Sequence, residues 1–194
     1  MNYVIIYAHP NRDSLNGSIL TETLAILENK QDTEVKVIDL YADKFNPSLF
    51  FDKTQLRRNL YTRDDTKDYR DTIAWADHLV FIYPIWWGRS PAILLGFIDK
   101  VFTAGFAYRT APQAIVPQGL FKNKRATIIT TQNGPVGITR LIYGDTHRIL
   151  MKRQVLQFCG IKKVRFFEIG KSESMSTSRF SQIVLKLRKL FLHN

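Results

Sequence analysis

Residues 3–16 read Tyr-Val-Ile-Ile-Tyr-Ala-His-Pro-Asn-Arg-Asp-Ser-Leu-Asn. The first six, Tyr3 to Ala8, form a continuous apolar run of strand length, the pattern of a strand covered on both faces. His9 to Asp13 reads as a turn. Ser14 stands where it can cap a helix whose apolar stripe includes Leu20, Leu24 and Leu27. A buried strand that passes through a polar turn into a helix N-terminus is how a parallel α/β sheet begins.

Outward from this stretch the alternation repeats. Val35 and Val37 alternate with Glu34 and Lys36, as in a half-exposed edge strand. Leu79-Val-Phe-Ile-Tyr83 and Ala126 to Thr131 are further buried strands, and Val164 to Ile169 reads as the last. Ser90-Pro91 opens a helix, since proline fits the first helical turn. That helix carries Ile93, Leu94, Phe97, Ile98, Val101 and Phe102, a stripe wide enough to be shared between the sheet and a partner subunit. Thr146 to Phe158 and Thr177 to Leu192 read as helices. Tyr41 to Thr66 is a long polar stretch, of the kind that is functional or interfacial. Strands and helices alternate five times, which predicts a five-stranded parallel sheet with helices on both faces, a three-layer α/β sandwich. The edge-like second strand and the continuous first strand predict the flavodoxin-like order 2-1-3-4-5, over one domain spanning residues 1–194. Ligands in such sheets bind beyond the carboxyl ends of the strands, so the segments after the first, third and fourth strands are the places to look.

The chain has 194 residues, 45% of them hydrophobic and 23% charged. That suits one domain with a real core and excludes disorder by composition. The single cysteine, Cys159, excludes an internal disulfide and fits a reducing compartment, so the expected location is cytoplasmic. The N-terminus lacks the basic stretch and long apolar run of a signal peptide. The longest apolar region, Leu79 to Ile98, is interrupted by Pro84, Arg89 and Pro91, and no transmembrane segment is expected. Net charge is +11, and residues 147–194 hold 11 Lys/Arg against 2 Asp/Glu. A face of this kind attracts nucleic acid, acidic membrane or phosphorylated ligands, or is simply solvated; composition does not choose among these. The C-terminal helix has a strong apolar stripe and no nucleic-acid motif is present, which argues against a specific nucleic-acid partner.

The first loop, His9 to Asn16, contains neither G-x-G-x-x-G nor a P-loop. It offers a helix N-terminus that favours an anion, with Ser14, Asn16 and His9 as donors, or it is a capped helix after an ordinary turn. The second loop, Tyr83-Pro-Ile-Trp-Trp-Gly-Arg-Ser-Pro91, places two tryptophans at a strand end. They form a flat wall for a planar ring, or they pack into the core. The third, Thr130-Thr-Gln-Asn-Gly-Pro-Val-Gly137, supplies hydroxyls, amides and close backbone approach for a ring with several acceptors, or is a plain turn.

Motifs across these loops resemble a known family: Tyr7-Ala-His-Pro10 with Ser14 and Asn16, Leu40-Tyr-Ala with Phe45-Asn-Pro47, Trp75-Ala-Asp77, and Pro84 with Trp87. Pro91-Ala-Ile-Leu with Gly96-Phe, Val101-Phe102 through Gly105-Phe-Ala-Tyr108, Thr130-Thr131, Gly144-Asp145 and Phe158-Cys-Gly160 extend the match. The chain resembles the NAD(P)H:quinone oxidoreductases of flavodoxin-like fold, the DT-diaphorase and modulator of drug activity B types. The resemblance implies a homodimer holding a non-covalent flavin, FAD with FMN as the close alternative. By the matching positions, His9, Ser14, Leu15 and Asn16 hold the flavin phosphate region. Pro84, Ile85, Trp86 and Trp87 line the ring. Thr131, Gln132 and Asn133 meet its pyrimidine side. Tyr108 and Phe158 come from the second subunit and shape the substrate slot. The implied reaction is ping-pong: NAD(P)H delivers a hydride to the flavin, and a quinone, or another flat acceptor such as an azo or nitro compound, then takes two electrons in the same slot.

This sequence departs from the family in the third loop. Relatives carry a Tyr and a His near bound substrate, the His immediately before a Gly-Asp pair. Tyr143 stands in the place of that His and no tyrosine matches the other position. Tyr143 is left as the catalytic candidate, a hydrogen-bond donor whose free pKa of about 10 matches an imidazole poorly. Arg89 occupies a place where relatives have a small or apolar residue, and either draws in the phosphate of NADPH or is a surface arginine. Cys159 reads as a packing residue and His78 as a boundary residue. His147 and His193 have no partners at metal-ligand spacing, and no metal site is expected. The same wider family includes ancillary subunits of potassium-efflux systems, so a flavin-binding regulatory subunit is the alternative role.

Overall fold

The computed structural model describes residues 1–54, 56–110 and 115–192, and the side chains of all of these except Thr139 and Tyr143. Strand β1 (Asn2–Tyr7) leads into helix α1 (Leu15–Glu28), then β2 (Glu34–Asp39), α2 (Lys67–Trp75), β3 (His78–Pro84) and α3 (Ala92–Val101). A two-stranded antiparallel ribbon follows, β4 (Tyr108–Arg109) with β5 (Gln118–Gly119). After it come β6 (Arg125–Thr131), α4 (Val136–Tyr143), α5 (Thr146–Arg148) with a π-helical continuation (Ile149–Gln157), β7 (Lys163–Ile169) and α6 (Thr177–Leu192). The large sheet is parallel throughout, in the order β2-β1-β3-β6-β7. Counting only its own strands, that is the expected 2-1-3-4-5.

Strand alternation divides the core in two. Val4 and Ile6 of β1, with Ala8 just beyond it, face one layer, with Leu94, Phe97 and Val101 of α3 and Met151 and Leu156 of the π-helical stretch. Tyr3, Ile5 and Tyr7 face the other, with Ile19, Leu20 and Leu27 of α1 and Ile183, Leu187 and Phe191 of α6. Each layer is buried because side chains two residues apart share a face of the pleat. The continuous apolar runs in β1 and β3 follow from coverage on both faces.

Three elements differ from expectation. The segment after the third loop forms α4, whose Ile138, Leu141 and Ile142 are exposed, so no buried stripe marks it. The Thr146–Phe158 helix is wound mostly as a π-helix; over two turns, apolar spacing does not separate that winding from α. The β4–β5 ribbon is two residues per strand, too short to leave a period. No helix among the described residues is long and apolar enough to cross a membrane.

Candidate functional site

The carboxyl ends of β1, β3 and β6 converge on a groove of about 320 Å³. Its walls include His9, Ser14, Leu15 and Asn16 from the first loop and α1, Pro84, Ile85 and Trp86 from the second loop, and Thr131, Gln132 and Asn133 from the third. Ten of the eleven expected cofactor-binding residues therefore line one cavity. The eleventh, Trp87, does not.

The first loop is held by its own side chains. Ser14 caps α1, its Oγ accepting from the Gly17 N–H at 3.2 Å and donating to the Asn11 carbonyl at 2.7 Å. Arg12 reaches out to Asp39 at the end of β2, with Nε donating to Oδ2 at 2.7 Å, while the Tyr41 and Ala42 N–H groups donate to Oδ1. Gly17 lets the loop close: a Cβ there would stand 1.8 Å from the Arg12 carbonyl oxygen. The cap leaves the Leu15 and Asn16 N–H groups without intrahelical partners at the positive end of α1. The Asn16 side chain is buried, and its Nδ2 donates to Thr131 Oγ1 at 2.8 Å, tying the first loop to the third. Its Oδ1 has no partner. A buried amide oxygen left open beside two free backbone N–H groups is a site shaped for a polar guest.

In the second loop the Ile85 N–H donates to the Thr131 carbonyl at 2.8 Å, so the shelf hangs from the neighbouring strand. Trp86 and Arg89 exchange backbone hydrogen bonds at 3.0 and 3.1 Å around a tight two-residue turn, Trp87-Gly88. Both tip residues have positive φ, +53° and +69°. For tryptophan that costs about 1–2 kcal/mol. The Trp87 side chain is 96% exposed, in neither the core nor the groove. Arg89 donates from Nη1 to the Ser90 carbonyl, as a surface arginine would.

Two wall residues were not expected, Ser172 and Glu173. They follow β7, the fifth strand of the sheet. The segment beyond the carboxyl end of that strand borders the groove as well as those after the first, third and fourth.

Tyr83 at the end of β3 and His147 of α5 form a buried pair. Tyr83 Oη and His147 Nε2 are 2.7 Å apart. Burial lowers the His147 pKa to about 4 and pushes the Tyr83 phenol up. With the imidazole neutral, the two side chains share one hydrogen bond, whose donor is set by the ring tautomer. His78 is likewise buried, with Nε2 2.8 Å from Thr127 Oγ1 and its pKa lowered to about 4, and is more than a boundary residue. Burial also pushes the Cys159 thiol up to about 12, the environment of a packing residue. Tyr108 and Phe158 do not line the groove of their own chain. They meet edge-on, centroids 4.9 Å apart, at a separate groove of about 270 Å³ that includes Ile98 and Phe102. The Tyr143 side chain lies outside the described residues, as does His193. No group of three or more metal-ligating side chains occurs among the described residues.

A family model described as flavodoxin-like fold matches residues 1–190. A Haemophilus influenzae protein named as an uncharacterized NAD(P)H oxidoreductase is 32% identical over 88% of this chain and 84% of its own. NAD(P)H dehydrogenase [quinone] 1 of Cavia porcellus is 33% identical over 82% of this chain. The chain belongs to the NAD(P)H:quinone oxidoreductase family of flavodoxin-like fold. It spans 64% of the length of the Cavia porcellus protein. The crystal structure of Smu.1420 from Streptococcus mutans UA159 superposes with a TM-score of 0.88 at 38% identity, covering 98% of both chains.

Proposed function

We propose that the chain is a flavin-dependent NAD(P)H:quinone oxidoreductase. The observation that carries this reading is the open Asn16 Oδ1 beside the free Leu15 and Asn16 N–H groups, in a groove floored by Pro84, Ile85 and Trp86. These features fit a planar heterocycle with an anionic tail. A bound flavin supplies two-electron hydride transfer from NAD(P)H to a quinone or other flat acceptor, in ping-pong order. The protein's part is to bind and orient. His9, Ser14, Leu15 and Asn16 would hold the tail at the positive end of α1. Pro84, Ile85 and Trp86 would support the ring, with the exposed Trp87 at the turn beside it. Thr131, Gln132 and Asn133 would address the pyrimidine edge. Tyr143 is retained as a hydrogen-bond donor near the acceptor. FAD is the proposed cofactor, with FMN the close alternative.

The reading includes a homodimer in which Tyr108 and Phe158 complete the slot of the other copy. Their pairing at a second groove, away from their own chain's ring shelf, supports that role. Purified protein should be yellow, bleach on addition of NAD(P)H and recolour with a quinone. Mass measurement of the cofactor released on heating separates FAD from FMN. A flavin that stays oxidised under excess NAD(P)H sinks the enzymatic reading. A monomeric mass with full turnover sinks the two-subunit slot.

A further inference from the structure

Helix α4 carries its apolar residues outward. Ile138, Leu141 and Ile142 are 48%, 88% and 68% exposed. The chain leading into it is uncovered, since a Cβ at Gly134 or Gly137 would meet no atom within 4 Å. The Trp87-Gly88 turn stands beside this helix: Gly88 lines a small cavity together with Val136 and Arg140. Trp87 projects from the turn on a backbone strained by positive φ. Ile85 and Gln132 line both that cavity and the main groove, so the apolar rim borders the groove mouth. A helix of a soluble domain normally turns its aliphatic side chains to the core, and a run of them left outside marks a contact with something else.

Charge and shape narrow what that contact is. Arg89 follows the turn, and Lys171 meets the third loop, its N–H reaching the Gly134 carbonyl at 3.4 Å; both residues are exposed. Asp145 and Glu168 pair with Arg140 and Arg148 and leave that cluster neutral. Glu173 on the groove wall opposes the positive charge. The π-helical stretch beyond α5 adds Lys152 and Arg153 and no carboxylate, and the whole chain carries +11. A second copy would bring the same positive face against this one, whereas an anionic surface is attracted to it. The rim projects and is not concave, which suits a medium that yields around it. An indole at headgroup depth with aliphatic side chains below is how an interfacial helix sits in a bilayer.

We propose that Trp87 and α4 dock the protein on an anionic lipid bilayer, with the groove mouth turned toward the membrane. This does not depend on the flavin-binding reading; joined to it, docking presents the groove to flat acceptors dissolved among lipid chains. The experiment co-sediments the full-length protein, as purified, with vesicles of phosphatidylcholine alone and of an equal mixture with phosphatidylglycerol. Wild type should bind the anionic vesicles at least about tenfold more tightly, and added salt should weaken that binding. Leu141→Ser/Ile142→Ser should lose about tenfold or more, because both side chains forfeit their burial among lipid chains. Leu185→Ser, which alters an exposed leucine of α6 outside the rim, should bind as wild type does. Thermal unfolding shows that each variant keeps the fold, as expected for exposed side chains. Equal binding by wild type and the double variant overturns the proposal, since basic charge alone then holds the protein to lipid. Absence of binding by wild type overturns it as well. A fall in oligomeric mass in the double variant gives this face to a second copy and overturns it too. Each of these outcomes leaves flavin binding untouched.

Discussion

Acid should destabilise this protein in a window set by two buried imidazoles. His78 and His147 carry pKa values lowered from 6.5 to about 4 by burial. Arg125, Arg165 and Lys30 lower His78 further; Arg148 acts the same way on His147, while Glu168 opposes it. Above pH 6.5 both rings are neutral, folded or unfolded, and contribute nothing. Between 6.5 and about 4 the unfolded chain takes protons that the native rings refuse, so stability falls as pH falls. Below about 4 the native rings protonate too and the loss stops growing. Each depression corresponds to about 3 kcal/mol, a large share of the roughly 5–15 kcal/mol that holds a domain together. Burial raises the pKa of Asp43, which works in the opposite direction near the bottom of the window. Asp65, lowered by Arg63, adds to the loss only below the ordinary carboxylate range. Urea unfolding at steps from about pH 7 to about pH 5 should show the free energy dropping with a slope approaching two protons. The double variant His78→Asn/His147→Asn should be less stable at neutral pH but much flatter. A wild-type profile that is level across this window, or a double variant just as steep, refutes the argument.

The other expectations concern the groove. Gly17→Ala should destabilise the fold by several kcal/mol, because its Cβ meets the Arg12 carbonyl at 1.8 Å and backbone must move; a urea midpoint within error of wild type would contradict this. Trp87→Gly should gain about 1 kcal/mol by relieving the positive φ, yet retain less flavin on gel filtration. Equal retention would show that the exposed indole does not serve the ring. Asn16→Ala removes the bond to Thr131 and the open amide oxygen together. It should lower stability by about 1 kcal/mol and flavin affinity by at least about tenfold, the two read separately by urea unfolding and fluorescence titration.

The parts of the fold that were legible in the sequence are those where burial writes a period. Tyr3 to Ala8 and Leu79 to Tyr83 are covered on both faces and read as unbroken apolar runs. β2 lies at the sheet edge as its alternation suggested, but Val37 is exposed and the buried positions are Ile38 and Asp39, so the alternation marked the strand without marking its buried residues. The groove was legible for the same reason: the strand ends are fixed once the strands are, and polar residues must occupy the turns that follow. What escaped notice buries little or lacks period, as with α4 and the β4–β5 ribbon. Trp87 shows a different limit. Its indole and a core tryptophan's are the same letter, and only the backbone sign at a two-residue turn separates a side chain thrown outward from one turned in. Glu173 shows a third. It lies 40 residues from Asn133, in a segment whose charge and hydroxyls resemble any solvated loop. It joins the wall only because Gly170 lets two carbonyl-lined turns meet and Arg179 holds them there. Residues that line this groove from neighbouring strand ends follow from topology, whereas those aimed into it by a tertiary clamp appear only when the clamp is seen.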